Sequence, residues 1–424
     1  MKNETFPSKE AVRIFLMTDP HFLGNELYDE GTASASVRNL RDGKEVVYTD
    51  EIMMAFVDTA LTEKPDAVIV AGDMTFNGEK ASHLEFTEIF RPLSEAGIPV
   101  YVIPGNHDLR NPFSRAFLGD TVYHAATVET SDFEEIYADF GYKNADSRDS
   151  ASLSYMKKLS DDVWMLALDT QKYEYNSMFG PASDSWIRDD TQTWMKGIFE
   201  DAKKSGATVI PVTHQAALKY DRVNFEEFII GNGSKLRAMM KEYHCPVVLS
   251  GHLHVQAIFS QDVEGTTLYD ISTGAVSVPE NLFGDITVIP GESLSYKARS
   301  VDVNSYAVKM GWEDPNLLDF HDYTIHHFEQ ETYEYFFENF LKFDDIDEED
   351  AKALARLGAL GNPYFYAGKS EEGRKALEES EDWEAYLRHQ DHPLVQIFFS
   401  KSYENELPQR EITISLQDGS ILPD

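Results

Sequence analysis

Short apolar runs closed by turn residues alternate, along the first part of the chain, with stretches whose apolar positions recur every three to four residues. Arg13-Ile14-Phe15-Leu16-Met17-Thr18, Ala67-Val68-Ile69-Val70-Ala71 and Pro99-Val100-Tyr101-Val102-Ile103 have the composition of buried strands. Between them, Ile52, Met53, Phe56, Val57, Ala60 and Leu61 fall at helical spacing behind a capping Asp50. A second helix is predicted with Leu84, Ile89, Phe90 and Leu93 inward and Gly97 as its stop, which leaves His83 as a surface or cap residue. Strand, helix and strand in alternation with short connections predict an α/β sheet covered on both faces, with ligands gathered beyond the strand ends. Leu109 to Thr130 breaks the pattern and is long enough for a lid over a site, and Ser131-Asp132-Phe133-Glu134 reads as a capping box. Further strands are predicted near Ser152 to Lys157, Val163 to Leu168, Thr208 to Thr213, Pro246 to Ser250, Val255 to Phe259, Thr266 to Ile271 and Ser293 to Val303, the last three completing a second sheet.

From Asn304 the pattern is helical. Leu317 to Phe343, rich in aromatics that read as core, predicts one long or broken helix. Ala351, Leu354, Leu357 and Leu360 predict a second helix ended by Gly361-Asn362-Pro363, and Glu371 to His389 a third. The chain is therefore divided into residues 1–303 and a smaller, mainly helical domain over 304–424. The acidic run Asp344 to Asp350 lacks the glycine and ligand spacing of a calcium loop and reads as a helix N-terminus. His321, His326, His327, His389 and His392 are read as structural.

Composition narrows this further. At 424 residues, 42% hydrophobic and 26% charged, the chain has the make-up of a globular protein, and no run approaches the ~18 apolar residues of a membrane span. The opening Met1-Lys2-Asn3-Glu4-Thr5-Phe6-Pro7 has no apolar signal core, so the chain as it stands is expected in the cytoplasm; removal of an export signal would leave the same sequence. A formal charge of −37 repels phosphate backbones and argues against general nucleic-acid binding, so a phosphate substrate requires a local positive charge. The single cysteine, Cys245, excludes an intramolecular disulfide and a thiolate cluster and is expected to be inert packing. Nothing in the sequence sets the oligomeric state.

The polar groups at the strand ends are Asp19, His21, Asp73, Asn106, His107, His214, His252 and His254. Carboxylate, imidazole and amide without sulfur suit Mn²⁺, Fe or Zn²⁺, with manganese and iron favoured. With His107 reserved for proton transfer, seven ligands remain, which fit two ions sharing one carboxylate better than one ion. Two such cations stabilise the attacking and leaving oxygens of a displacement at phosphorus, so phosphoester hydrolysis is the chemistry the set suits.

Asp19-Pro20-His21, Gly72-Asp73-Met74, Gly105-Asn106-His107-Asp108, Thr213-His214 and Gly251-His252-Leu253-His254, in that order, resemble the signature of the calcineurin-like metallophosphoesterase superfamily. With helices appended, the pattern resembles the bacterial cyclic-nucleotide phosphodiesterases of that superfamily. The resemblance implies a four-layer αββα sandwich, Asp19, His21 and His254 on a first metal, Asn106, His214 and His252 on a second, and Asp73 between them. It further implies attack by a hydroxide bridging the metals, with His107 contacting the phosphate and protonating the leaving oxygen while Asp108 orients its ring. Asn106 and, in the long loop, His124, Arg110 and Arg115 are candidate substrate contacts. The expected activity is hydrolysis of a small phosphodiester, a cyclic nucleotide first. A phosphomonoesterase or a nuclease on short single strands is the alternative. A non-catalytic interaction module is the alternative of another class, against which stands the presence of all seven ligands.

Overall fold

The computed structural model describes residues 10–38, 43–219, 228–400 and 407–423, so the opening segment Met1 to Pro7 lies outside the described residues. Two sheets form its centre. In the first, Val12–Met17, Ala67–Ala71 and Val100–Ile103 run parallel, and Leu282–Ile289, Ser293–Ser300 and Glu411–Ser415 extend the sheet antiparallel from the other side of Val12–Met17. In the second, Val163–Ala167, Thr208–Val212, Val247–Ser250 and Thr266–Ser272 run parallel, with antiparallel strands at both margins.

Strand periodicity explains the layering. Along the second sheet, Val163, Met165 and Ala167 enter the core shared with the first sheet, whereas Trp164, Leu166 and Leu168 pack with Met195, Ile198 and Phe199 of the helix Asp189–Ser205. A two-residue period thus buries both faces, as parallel sheets require. On the first sheet, Phe15 and Phe283 meet Phe56 of the helix Thr49–Glu63, with ring centroids 6.3 and 5.3 Å away. The result is the expected α/β sandwich with a helical C-terminal region.

Several details differ from the sequence pattern. Ser293–Ser300 joins the first sheet, not the second, because Leu282–Ile289 pairs with it and with Val12–Met17. That intervening strand was not among those expected from the sequence pattern. Glycine is needed at position 284 because a Cβ would lie 2.6 Å from the Tyr296 ring. The helix Glu348–Tyr366 runs through Gly361 and Pro363, and it packs against the helix Phe320–Phe340 so closely that a Cβ on Gly358 would meet the Phe336 ring at 2.6 Å. The third predicted helix is two, Ser370–Glu379 and Trp383–His389. Phe320, Thr324, Phe328, Thr332, Phe336 and Phe340, at every fourth position, form the buried stripe of the long helix. Nor does the region after 304 remain helical, because Glu411–Ser415 returns to the first sheet beside Ser293–Ser300.

This return ties the helices to the sandwich. Phe328 packs with Ala275 and Val278, and Tyr48 packs edge-on against Phe320 at 5.7 Å. Deleting everything after residue 303 should uncover these apolar groups and the edge of Ser293–Ser300, and the truncated protein is expected to aggregate. A monodisperse, soluble truncation in size-exclusion chromatography would contradict this packing role. Among the described residues no helix is long and apolar enough to cross a membrane.

Candidate metal centre

The parallel pairing sets Met17 beside Val70 and Ala71 beside Ile103, so three strands end in step. Past those ends the backbones stay joined, with Asp19 N–H donating to Gly72 C=O at 3.2 Å and His21 N–H to Asp73 C=O at 2.9 Å. From the second sheet, Gly251 N–H donates to His214 C=O at 2.9 Å, which brings His214 and His252 to the same place. Asp19, His21, Asp73, His252 and His254 all have left-handed backbones, with φ between 47° and 66°. Such strain in non-glycine residues costs about 1–3 kcal/mol each and persists where the surroundings dictate it. Close approach is the reason glycine precedes the ligands: a Cβ on Gly105 would sit 2.1 Å from Asp73 Oδ1 and one on Gly72 2.3 Å from His214 Nδ1.

The side chains converge in overlapping groups. Asp19, His21 and His254 place ligand atoms within 4.8 Å of one another, as do Asp73, His214 and His252, and as do His21, Asp73 and His107. Asn106 Oδ1 lies 3.1 Å from His214 Nε2, and Asp73 Oδ2 lies 3.3 Å from that nitrogen and 3.7 Å from His21 Nε2. All seven residues expected to hold metal are therefore brought together. Asp73 belongs to both halves of the set.

The donor set fits cations. Asp19 Oδ1 and His252 Nε2 are buried without a hydrogen-bond partner, a costly state for polar atoms unless something else meets them. Burial holds His252 down to about 3 and His21 well below the ordinary imidazole value, so both are neutral, the form that ligates metal. Burial is the largest influence on both carboxylates and works against them, but the imidazoles around them together outweigh it, His214 and His254 holding Asp19 and His214, His107 and His21 holding Asp73 below the usual range. His214, opposed by burial, is raised to about 9 by Asp73 and Asp19. His214 Nδ1 donates to Ala71 C=O at 2.8 Å, which turns Nε2 into the cluster.

His107 lies beside the cluster, its ring edge-on to His21 with centroids 5.0 Å apart. Its backbone N–H donates to Asp73 Oδ1 at 2.8 Å, and its Nδ1 is 2.9 Å from Phe76 C=O and 3.1 Å from Asn77 Oδ1. Nδ1–H is thereby fixed as the donor, and Nε2 is the ring atom left for a substrate. Asp108 does not orient this ring. Its carboxylate accepts from the N–H groups of Gly105, Thr75 and Met74 and from the Thr75 hydroxyl, so it ties two ligand-bearing loops together. Burial and Asp73 raise it to about 7.

Asn77 and Asn111 take the place expected of Asp108. Asn111 Nδ2 donates both to Asn77 Oδ1, at 3.2 Å, and to His107 C=O, at 3.0 Å. Asn77→Ala should therefore release the ring partly and reproduce, more weakly, the selective loss expected of removing His107; unchanged turnover on a poor leaving group would show that the Phe76 carbonyl suffices. His83 is not a surface residue. It is fully buried between the Tyr137 hydroxyl, 2.8 Å from Nδ1, and Asp108 C=O, 2.9 Å from Nε2. Its spacing from Phe86 and Phe90 places it on the inner helix face, whereas Leu84 is 49% exposed.

The long loop carries a hairpin, Arg115–Leu118 with Thr121–His124. There His124 is exposed and lies 2.9 Å from Arg115 Nη1, which also donates to two backbone carbonyls, and Arg110 pairs with Glu129. Among the described residues, His124 makes no hydrogen bond to the ligand cluster. Asn176 does reach the site margin, donating to Leu109 C=O at 2.9 Å, and was not singled out by its sequence context.

Residues 12–256 match the family model described as calcineurin-like phosphoesterase, more than half of the chain. The chain belongs to this family. Residues 302–406 match the C-terminal domain of cyclic nucleotide phosphodiesterase. Local matches within known proteins are short. A probable glycerophosphodiester phosphodiesterase of Arcobacter nitrofigilis is 44% identical over 57 residues, 13% of this chain and 20% of that protein. A DNA double-strand break repair protein of Aeropyrum pernix is 42% identical over 65 residues, 14% of this chain and 16% of that protein. Among solved structures, a dimetal phosphatase from Danio rerio aligns over 68% of this chain and 96% of its own at 10% identity and a TM-score of 0.48. A purple acid phosphatase from yellow lupin aligns over 69% of this chain and 52% of its own at 15% identity and a TM-score of 0.43. The chain spans about a fifth or less of the length of the Arcobacter nitrofigilis and Aeropyrum pernix relatives, and its Asp and His clusters, at the strand ends of a calcineurin-like phosphoesterase fold, suggest a dinuclear metal site.

Proposed function

We propose that this phosphoesterase hydrolyses a small phosphodiester, with a cyclic nucleotide as its leading substrate class. The observation that supports the reading is the convergence of Asp19, His21, His254, Asp73, His214, His252 and Asn106 in overlapping clusters, with the His107 imidazole beside His21 and Asp73. Asp19, His21 and His254 would hold one ion and Asn106, His214 and His252 the other, manganese or iron by donor chemistry. When bound, the ions supply Lewis acidity and lower the pKa of water.

The chain's own residues account for the rest. Phe76 C=O and Asn77 hold His107 by Nδ1–H, so Nε2 faces the substrate, and the imidazolium form gives its Nε2 proton to the leaving oxygen and returns to the neutral Nδ1–H ring. The backbone bond from His107 to Asp73 fixes that imidazole relative to the ligands. The match of the C-terminal region to a cyclic nucleotide phosphodiesterase domain favours a cyclic nucleotide, and the short match to a glycerophosphodiester phosphodiesterase gives a glycerophosphodiester as the second reading. The charge of −37 favours a small substrate over a nucleic-acid backbone.

The test is a panel of 3′,5′- and 2′,3′-cyclic nucleotides, a glycerophosphodiester and a nitrophenyl monoester with Mn²⁺, products being identified by ³¹P NMR. Turnover of a diester to a monoester is expected. Hydrolysis of the monoester alone would replace this reading with a phosphomonoesterase.

A further inference from the structure

Asp19 and His254, two ligands of the first group, stand far apart in sequence, and a segment that contributes no ligand joins their backbones. Residues 273–278 are all buried. Ala275 N–H donates to His254 C=O at 3.2 Å, the Ser277 hydroxyl to Asp19 C=O at 2.7 Å, and Val276 N–H to Thr18 C=O at 3.0 Å. Thr18 answers with its own hydroxyl, which donates to Thr273 C=O at 3.1 Å. The segment is thus a brace between two ligand backbones, and a shift of the brace moves Asp19 relative to His254.

The C-terminal region grips this brace along its length. Phe328 of the helix Phe320–Phe340 packs on Ala275 and Val278, and its ring meets that of Tyr366 edge-on at 5.3 Å. Tyr366 C=O, at the end of the helix Glu348–Tyr366, accepts from Gln256 N–H at 2.8 Å. The Gln256 side chain, 1% exposed, carries the connection onward: Oε1 accepts from Gly274 N–H at 3.2 Å, and Nε2 donates to Gln409 C=O at 2.8 Å. At the other end of the brace, Glu45 N–H donates to Ser277 C=O at 2.7 Å while its carboxylate accepts from His327 Nδ1 at 2.5 Å. Ligands of the other group are held by different contacts. His214 Nδ1 donates to Ala71 C=O at 2.8 Å, and Gly105, next to Asn106, donates its N–H to Asp108 Oδ2 at 2.8 Å.

We propose that the C-terminal helical region sets the affinity of one metal position, with Phe328 and His327 as positioning residues that fix the brace and, through it, the placement of Asp19 and His254. The effect falls on the position of Asp19, His21 and His254 and spares that of Asn106 and His214. Asp19 and His254 have left-handed backbones, which persist only where the surroundings impose them, and the bonds from Ser277 and Ala275 impose part of that constraint. The inference rests on the two-ion reading of the centre and is independent of the substrate. It gives the C-terminal helices a part in the chemistry beyond covering apolar surface.

Mn²⁺ binding to the metal-free, full-length protein, followed by calorimetry with melting temperature measured on the same samples, tests this. His254→Ala identifies the binding step of the first position by removing it. Phe328→Ala should weaken that step by about 10- to 100-fold, the range for groups that orient a metal ligand, and leave the other step in place. Phe328→Leu, which keeps an apolar contact with Ala275 and Val278, should restore most of the affinity. Phe336→Ala is the control, the same truncation on the same helix at a side chain that packs among the C-terminal helices: the melting temperature should fall while both steps stay as in the wild type. His327→Ala, a milder change that frees Glu45, should weaken the first step by less, and it decides the question if Phe328→Ala does not fold. An unchanged first step in Phe328→Ala, or in His327→Ala where that variant stands in, would overturn the inference. So would equal weakening of both steps, or the same weakening in Phe336→Ala, since either would reduce the contact to general stability. Should the wild type take up one ion only, the two-ion reading falls, and Phe328→Ala against Phe336→Ala on that ion still decides the role of the brace.

Discussion

Asp73→Asn should abolish binding at both metal positions at once and produce the largest loss of activity of any single substitution here. Asp73 Oδ2 lies 3.3 Å from His214 and 3.7 Å from His21, which belong to different ligand groups, a tighter bridge than Asp19 Oδ1, which is 3.9 Å from each of the same two nitrogens. A neutral amide is a poor bridge between cations. Oδ1 serves a different purpose, accepting from His107 N–H, and an asparagine oxygen can still do so. The fold is therefore expected to survive while metal content falls below one ion per chain. Turnover should drop by more than the ~10²- to 10⁴-fold that loss of a general acid produces. His254→Ala, on one group only, should remove one ion and leave the other. Equal metal loss in the two variants would show that the centres do not fill independently.

His107→Ala should leave metal content unchanged and lower turnover by ~10²- to 10⁴-fold on a substrate with a poor leaving group. The imidazole is held by the Phe76 carbonyl and Asn77 through Nδ1, so it has Nε2 to offer the leaving oxygen. A nitrophenolate departs with little help, whereas a ribose alkoxide requires a proton. The defect should therefore be far larger on a cyclic nucleotide than on an aryl phosphodiester. Equal defects on both would assign His107 to phosphate positioning, and an intact rate on the cyclic nucleotide would remove it from the mechanism.

The ligands were legible because each stands immediately beyond an apolar run, and parallel strands that end in step deliver such residues to one place. What joins the ligands was not. A carboxylate next to a histidine in sequence suggests a pair, but Asp108 turns toward the amides of Gly105, Met74 and Thr75, a choice set by how two loops lie against each other. Ser293–Ser300 could not be assigned to its sheet from its own residues, because its sheet is set by pairing with Leu282–Ile289, which in turn pairs with Val12–Met17. The helix through Pro363 shows packing against Phe320–Phe340 outweighing a local stop signal. Histidines of the C-terminal region read as unpaired have carboxylate partners distant in sequence: Glu45 for His327 and Asp350 for His389, the latter at 2.7 Å.

Two ions held through one shared carboxylate are proposed to make this chain a phosphodiesterase. Stepwise addition of Mn²⁺ to metal-free protein, with bound metal and hydrolysis of an aryl phosphodiester followed in the same samples, tests it most directly. Turnover should remain low through the first equivalent and rise with the second, and Asp73→Asn should show neither binding step. Full activity at one equivalent, or activity without added or bound metal, would contradict the account.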